Sequence, residues 1–138
     1  MSQSIREIMT ANPSTIEPNQ SVVEAARVMK QEDAGVVPVT ENGRLTGMVT
    51  DRDIAIRVVA EGKDPQSTTV GEVASTNLVT LDPQQDLDEA LRLMAQHQVR
   101  RLPVVEEDGR LVGVVAQADI ARTGDDAKTG QVVQEISD

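Results

Sequence analysis

Two halves of this chain repeat one another in order, and that duplication limits the fold more than any single motif does. Met9-Thr10-Ala11-Asn12 returns as Ala74-Ser75-Thr76-Asn77, Glu17-Pro18 as Asp82-Pro83, Glu24-Ala25 as Glu89-Ala90, Met29 as Met94 and Pro38 as Pro103, each 65 residues on. One residue inserted in the second copy then carries Gly43 to Gly109, Gly47 to Gly113 and Asp53 to Asp119. Such regularity marks two copies of one supersecondary unit. We read residues 3–60 as repeat 1, 61–69 as a polar linker with Gly62 and Pro65, 70–122 as repeat 2 and 123–138 as a polar tail. Val132, Val133 and Ile136 read either as one weak helical turn against a partner or, the expectation here, as part of a frayed polar end.

Each copy reads helix, strand, helix, strand, strand, helix. In the first, Ser4-Ile5-Arg6-Glu7 has the pattern of a capping box and Asn12-Pro13 ends the helix. A short strand is expected at Ser14 to Ile16. Ser21-Val22-Val23-Glu24 then opens a helix whose Val22, Ala25, Ala26 and Met29 share a face. Val36 to Val39 and Leu45 to Val49 form a hairpin through Asn42-Gly43, and a helix follows from Thr50 to Ala60. The class is α/β, in the α+β sense. A copy of about 60 residues buries only about 60% of its unfolded surface, so two copies packed together are expected, with clefts where they meet.

The stretch Gly47-Met48-Val49-Thr50-Asp51-Arg52-Asp53 runs a strand into a helix start that carries a hydroxyl and a carboxylate. Two readings stand side by side. Such a helix start can hold a nucleotide, with N–H groups toward phosphate and the acid toward ribose hydroxyls. Thr-x-x-Asp is also a capping box that needs no ligand. Asp51 and Asp53 suit the helix dipole better than a cation, which wants more oxygen ligands than this pair supplies, so no metal site is expected. Arg100-Arg101 reads either as a phosphate-holding pair or as surface ion-pair residues. Met29, Met48 and Met94 fill gaps in a core or wall.

Composition removes several functions. The chain has no Phe, Trp or Tyr on which bases could stack, and 13 basic against 23 acidic residues leave a net charge of −10, so nucleic acid is not an expected partner. Absence of Cys removes disulfides and thiol nucleophiles. His97, the single histidine, has no visible nucleophile or orienting partner, and no catalytic residue is expected. No apolar run approaches the roughly 20 residues of a membrane span and no signal peptide is visible; cytoplasm is the expectation.

Together these features resemble the CBS-domain pair, or Bateman module, over roughly residues 3 to 122, in the manner of small stand-alone bacterial pairs. The resemblance rests on Val36-Val37-Pro38-Val39 and Arg101-Leu102-Pro103-Val104-Val105, each followed by a Gly-led strand and helix at Gly47 to Asp53 and Gly113 to Asp119, with Thr50-Asp51-Arg52-Asp53-Ile54 and His97-Gln98-Val99-Arg100-Arg101 beside them. It implies two small three-stranded sheets packed as a pseudo-two-fold disc, with adenosine nucleotides bound in composite clefts. The first cleft would join Met48, Thr50, Arg52 and Asp53 to Leu78, Val79, Val99, Arg100 and Arg101. The second would join Val114, Ala116, Ala118 and Asp119 to Met9, Ser14, Ala34, Gly35 and Val36. They are unequal: Ala116 lacks the hydroxyl of Thr50, and Gly35 and Val36 stand where the first cleft has its arginines, so the second should hold phosphate poorly.

The implied function is a regulatory adenosine-nucleotide sensor without catalysis or required cofactor, its ligand AMP, ADP, ATP or another adenosine derivative, acting on an unidentified protein target. The alternative is a ligand-free dimeric scaffold. A homodimer is expected, with Ile54, Val58 and Ile120 as candidate contacts.

Overall fold

The computed structural model describes residues 4–121. The tail at 123–138, with Val132, Val133 and Ile136, lies outside the described residues. In chain order the elements are α1 (Ile5–Ile8), β1 (Thr10–Ala11), α2 (Val22–Glu32), β2 (Val36–Glu41), β3 (Arg44–Thr50), α3 (Asp51–Ile54), a π-helical turn (Ala55–Val59), α4 (Val70–Val73), α5 (Leu87–His97), β4 (Arg101–Val105), β5 (Leu111–Ala116) and α6 (Gln117–Ala121).

The chain divides into two compact units, and they are cut differently from the two copies. One is Ser14–Leu78; the other joins Met1–Pro13 to Val79–Asp138. Each unit thus takes its short leading helix from the opposite copy: α4 serves the first unit and α1 the second.

In the unit Ser14–Leu78, β2 and β3 pair antiparallel from Val36↔Thr50 to Glu41↔Arg44, with an irregularity between Val39 and Thr40. Asn42 at φ 55° and Gly43 at φ 81° make the expected Asn-Gly turn. Pro38 stands inside β2 without breaking the ladder. A strand residue turns its N–H and C=O to the same side, and the Pro38 carbonyl accepts from Ile16 N at 3.0 Å, so the missing donor faces away from β3. The strand expected at Ser14 to Ile16 is reduced to this single Ile16↔Val39 bridge. The core holds Val22, Ala25 and Met29 of α2, Val37, Val39 and Val49 of the hairpin, and Val58, Val70 and Val73.

The other unit repeats the plan. β4 and β5 pair antiparallel, Leu81 N donates to the Pro103 carbonyl at 2.9 Å, and β1 adds a third strand through Thr10↔Val114 and Ala11↔Gly113. The order is β1-β5-β4. Position for position, Ser75 does in the first unit what Thr10 does here, but only as a bridge: Met48 N reaches Ser75 O at 2.9 Å and Ser75 N reaches Met48 O at 2.8 Å. One sheet is therefore three-stranded and the other two-stranded with a bridged third segment. Ile5, fully buried, joins Leu87, Leu91, Met94, Leu102, Val104, Val115 and Ile120 in the core.

Local chemistry explains where the helices begin and stop. Ser21 Oγ caps α2 by accepting from Glu24 N at 3.4 Å, and Asp86 Oδ1 caps α5 by accepting from Glu89 N at 3.1 Å. Asp33 and Gln98 end these helices in the left-handed region, at φ 51° and 53°. The capping box expected at Ser4 to Glu7 does not form, since Ser4 makes no side-chain cap bond. Tertiary carbonyls replace it, because Ile5 N donates to Gln85 O at 2.7 Å and Arg6 N to Pro83 O at 3.1 Å. The helix expected from Thr50 to Ala60 is α-helical only to Ile54. Beyond that the bonds widen to a π register, as in Ala60 N to Ala55 O at 2.9 Å. Val58 and Ile120, expected at a dimer surface, are fully buried in the two cores, and Ile54 packs against the first; among the described residues the exposed large apolar side chains are Ile56 and Val59.

Gly113 is required by close approach. A Cβ there would stand 2.5 Å from Met9 Sδ and 2.9 Å from Thr10 O, whereas one on Gly47 would meet Ser75 O at 3.1 Å and Ala74 Cβ at 3.4 Å. A thioether can move but the paired β1 carbonyl cannot. Gly113→Ala should cost about 2 kcal/mol or more and Gly47→Ala about 1 kcal/mol or less in urea unfolding. Equal losses would contradict this account of β1.

Candidate functional site

In the first unit, β3 ends at Thr50 and turns directly into α3. Thr50 Oγ1 accepts from Asp53 N at 3.0 Å, and Asp53 Oδ2 accepts from Thr50 N at 2.9 Å, so the capping box is complete. These two bonds hold hydroxyl and carboxylate side by side at the head of the helix. The Asp53 side chain is 15% exposed, and its other oxygen, Oδ1, lies 3.8 Å from Arg57 Nη1. Arg57 Nη1 is itself anchored, donating to the Val73 carbonyl at 2.7 Å. Met48 lies two residues back on β3, half-buried and bonded through its backbone to Ser75, while Arg52 is exposed. Val36 pairs with Thr50, and Gly35 O accepts from Asp51 N at 2.9 Å, so the lead-in to β2 runs beside this turn.

The second unit builds the same turn with fewer polar groups. Asp119 Oδ2 accepts from Ala116 N at 2.8 Å, matching the Asp53 bond, but Ala116 offers no hydroxyl to return. Asp119 is buried at 8% exposure, and Val114 and Ala116 are half-buried. Arg101 pairs with Ala116, and Arg100 O accepts from Gln117 N at 2.8 Å. Within its own unit, then, the arginine pair flanks the Ala116 turn as Gly35 and Val36 flank the Thr50 turn. Both guanidinium groups are exposed, and neither forms one of the ion pairs among the described residues. In a chain of net charge −10, two adjacent cations without a carboxylate partner are an anion-attracting feature.

The remaining expected residues are placed as follows. Val79 and Val99 pack against the second core, and Leu78 is half-buried at the end of the first unit. Met9 also packs on the second core, over Gly113. Ser14 is exposed and its hydroxyl donates to Glu32. His97 is exposed in the last turn of α5. Arg57 was not among the expected site residues; its i,i+4 spacing from Asp53 was the available signal. Resolved ionisation shifts lie elsewhere: the Thr69 N–H and hydroxyl lower Glu72, and the Arg92 guanidinium lowers Glu89. Among the described residues no group of three or more metal-ligating side chains gathers, and no helix is long and apolar enough to cross a membrane.

The family model of the CBS domain matches residues 5–60 and again 70–125. The CBS domain-containing protein YhcV of Bacillus subtilis is 52% identical over 118 residues, covering 86% of this chain and 83% of that protein. Hypoxic response protein 1 of Mycobacterium tuberculosis, the kind of small pair the sequence resembled, is 42% identical over 118 residues, covering 85% and 82%. A crystal structure of Hypoxic Response Protein I with two coordinated zinc ions aligns at TM-score 0.80 and 41% identity, over 87% of this chain and 98% of that one. The CBS domain pair of protein MJ0100, in complex with 5′-methylthioadenosine and S-adenosyl-L-methionine, aligns at TM-score 0.78 and 27% identity, over 89% and 96%. With both copies matched and the strand-to-helix turn built twice, this chain belongs to the CBS-domain family as a tandem pair.

Proposed function

We propose that the chain is a regulatory module without catalysis that binds an adenosine nucleotide and alters its contacts with a protein target when it does. The observation that carries this reading is the Thr50 to Asp53 turn, where one carboxylate oxygen is tied to backbone and the other is backed by Arg57. A carboxylate has about four lone-pair sites. The bond to Thr50 N takes one and leaves acceptor capacity for a ribose diol. The adenosine ligands of the MJ0100 pair support that chemistry. On this reading Met48, Thr50, Arg52 and Asp53 serve the nucleoside, Leu78, Val79 and Val99 supply apolar wall, and Arg100 and Arg101 read phosphate. Ser14, Gly35, Val36, Val114, Ala116 and Asp119 form the weaker set. AMP, ADP and ATP are the first ligands to try, and a cytoplasmic setting belongs to the same proposal.

The second reading, a ligand-free scaffold, draws on the same turn. Thr50 and Asp53 satisfy each other's backbone without any ligand.

Calorimetry on three variants separates the readings. Asp53→Ala should weaken every adenosine ligand by about 1 to 3 kcal/mol. It also removes a cap bond and about 1 kcal/mol of stability, so binding is measured well below its melting temperature. Arg101→Ala should lose more affinity as phosphate charge rises and less in high salt, because a guanidinium reads the anion. Asp119→Ala should be nearly silent toward phosphorylated ligands. Loss of binding in Asp119→Ala with Asp53→Ala intact would move the ligand to the second turn, where the arginines already stand in the same unit.

Homodimerisation is part of the proposal, through the exposed Ile56 and Val59, at 45% and 69% exposure, in place of Val58 and Ile120. Light scattering at micromolar concentration should give twice the chain mass, and Val59→Asp should halve it. A monomer mass for the unaltered chain would remove the dimer.

A further inference from the structure

We propose that Arg57 is a positioning residue for the candidate site: it aims Oδ1 of Asp53 at a ribose diol while fastening the turn to the end of α4. The inference rests on the nucleotide reading above and adds a residue that reading did not require. Three observations converge on it. Arg57 Nη1 donates to the Val73 carbonyl at 2.7 Å, so one end of a long side chain is already held by a fully formed hydrogen bond. The same nitrogen lies 3.8 Å from Asp53 Oδ1, while Oδ2 is occupied by Thr50 N. The carboxylate is thereby constrained at both oxygens and cannot rotate about its Cβ–Cγ bond without losing one contact.

Exposure decides which role this pair plays. An ion pair between solvated groups contributes little, and Arg57 is 51% exposed. Asp53, at 15%, is screened far less, and the guanidinium does not have to be ordered afresh because Val73 has ordered it. Its consequence is directional more than stabilising. Val73 closes α4 two residues before Ser75, which exchanges two backbone bonds with Met48, so Asp53 and Met48 are both referenced to the same short segment.

The repeat supplies an internal comparison. Asp119 keeps the bond to the turn's backbone, but the residue corresponding to Arg57, at the 66-residue offset, is Thr123. A hydroxyl cannot stand in for a charged fork. In sequence, then, the two copies differ at this position as an arginine and a threonine.

The test pairs a ligand-free readout with a ligand readout on Arg57→Gln and Arg57→Lys. Amide hydrogen exchange at Thr50 in the apo protein should accelerate in Arg57→Gln and recover in part in Arg57→Lys, because the Asp53 acceptor of that N–H is no longer steered. In calorimetry, the preference of the unaltered chain for AMP over 2′,3′-dideoxy-AMP should shrink roughly three- to tenfold in Arg57→Gln, with affinity for the dideoxy analogue little changed. Unchanged exchange at Thr50 overturns the positioning role, as does an unchanged AMP to dideoxy-AMP ratio in a variant that still binds. If the unaltered chain binds no AMP while exchange at Thr50 does accelerate in Arg57→Gln, the nucleotide reading fails and the hold on Asp53 stands.

Discussion

Each core in this protein, built without one aromatic ring, is closed by a short helix that repeat order assigns to the other copy. Ile5 of α1 is fully buried among Leu87, Leu91 and Met94, and Val70 and Val73 of α4 are buried among Val22, Val37 and Val58. Burying one such side chain contributes about 1.5 to 3 kcal/mol, and a whole domain is stable by only about 5 to 15 kcal/mol. Removing α4 from the first unit would thus forfeit a large share of what holds it. The duplication is a folding requirement as well as a pattern, since neither copy contains its own complete core.

The same economy shapes the strand-to-helix turns. In both units an aspartate reaches back to the backbone N–H of the last strand residue, at 2.9 Å from Asp53 and 2.8 Å from Asp119. That bond starts the helix in both. The residue at the strand end then separates the copies: Thr50 returns a hydroxyl to the Asp53 N–H, and Ala116 has none to return. In the first turn the other carboxylate oxygen faces the Arg57 guanidinium. The capping bonds and the proposed ligand contacts use the same atoms, which is why a Thr-x-x-Asp signature could not be divided between the two from sequence.

Much of the architecture was legible because it follows from spacing. The 65- and 66-residue offsets placed both hairpins, both long helices and both turns, and the Asn42-Gly43 turn followed from its dipeptide. What was not legible depends on contacts distant along the chain. Ser4 has the residues of a capping box yet leaves its work to Pro83 and Gln85, 79 and 81 residues on. Hydrophobic period does not distinguish an α from a π register, so the widening at Ala55 and the resulting outward Ile56 and Val59, with Val58 inward, could not be read. Arg57 showed its spacing to Asp53, but its anchor at Val73 exists only once α4 has returned to the first unit. For Arg100 and Arg101, sequence supplied the cations; their place beside the Ala116 turn needed the β4 and β5 register.

The central claim is that this pair of CBS domains takes an adenosine ligand, and it is most directly tested by thermal unfolding of the unaltered chain with AMP, ADP, ATP, S-adenosylmethionine, NAD and GTP. A ligand at 100 times its Kd should stabilise the native state by about 2.7 kcal/mol, which raises the melting temperature by several degrees. At least one adenosine compound is expected to do so, with GTP lacking the effect at the same concentration. A melting temperature that none of them moves would contradict the nucleotide reading and leave the ligand-free scaffold in its place.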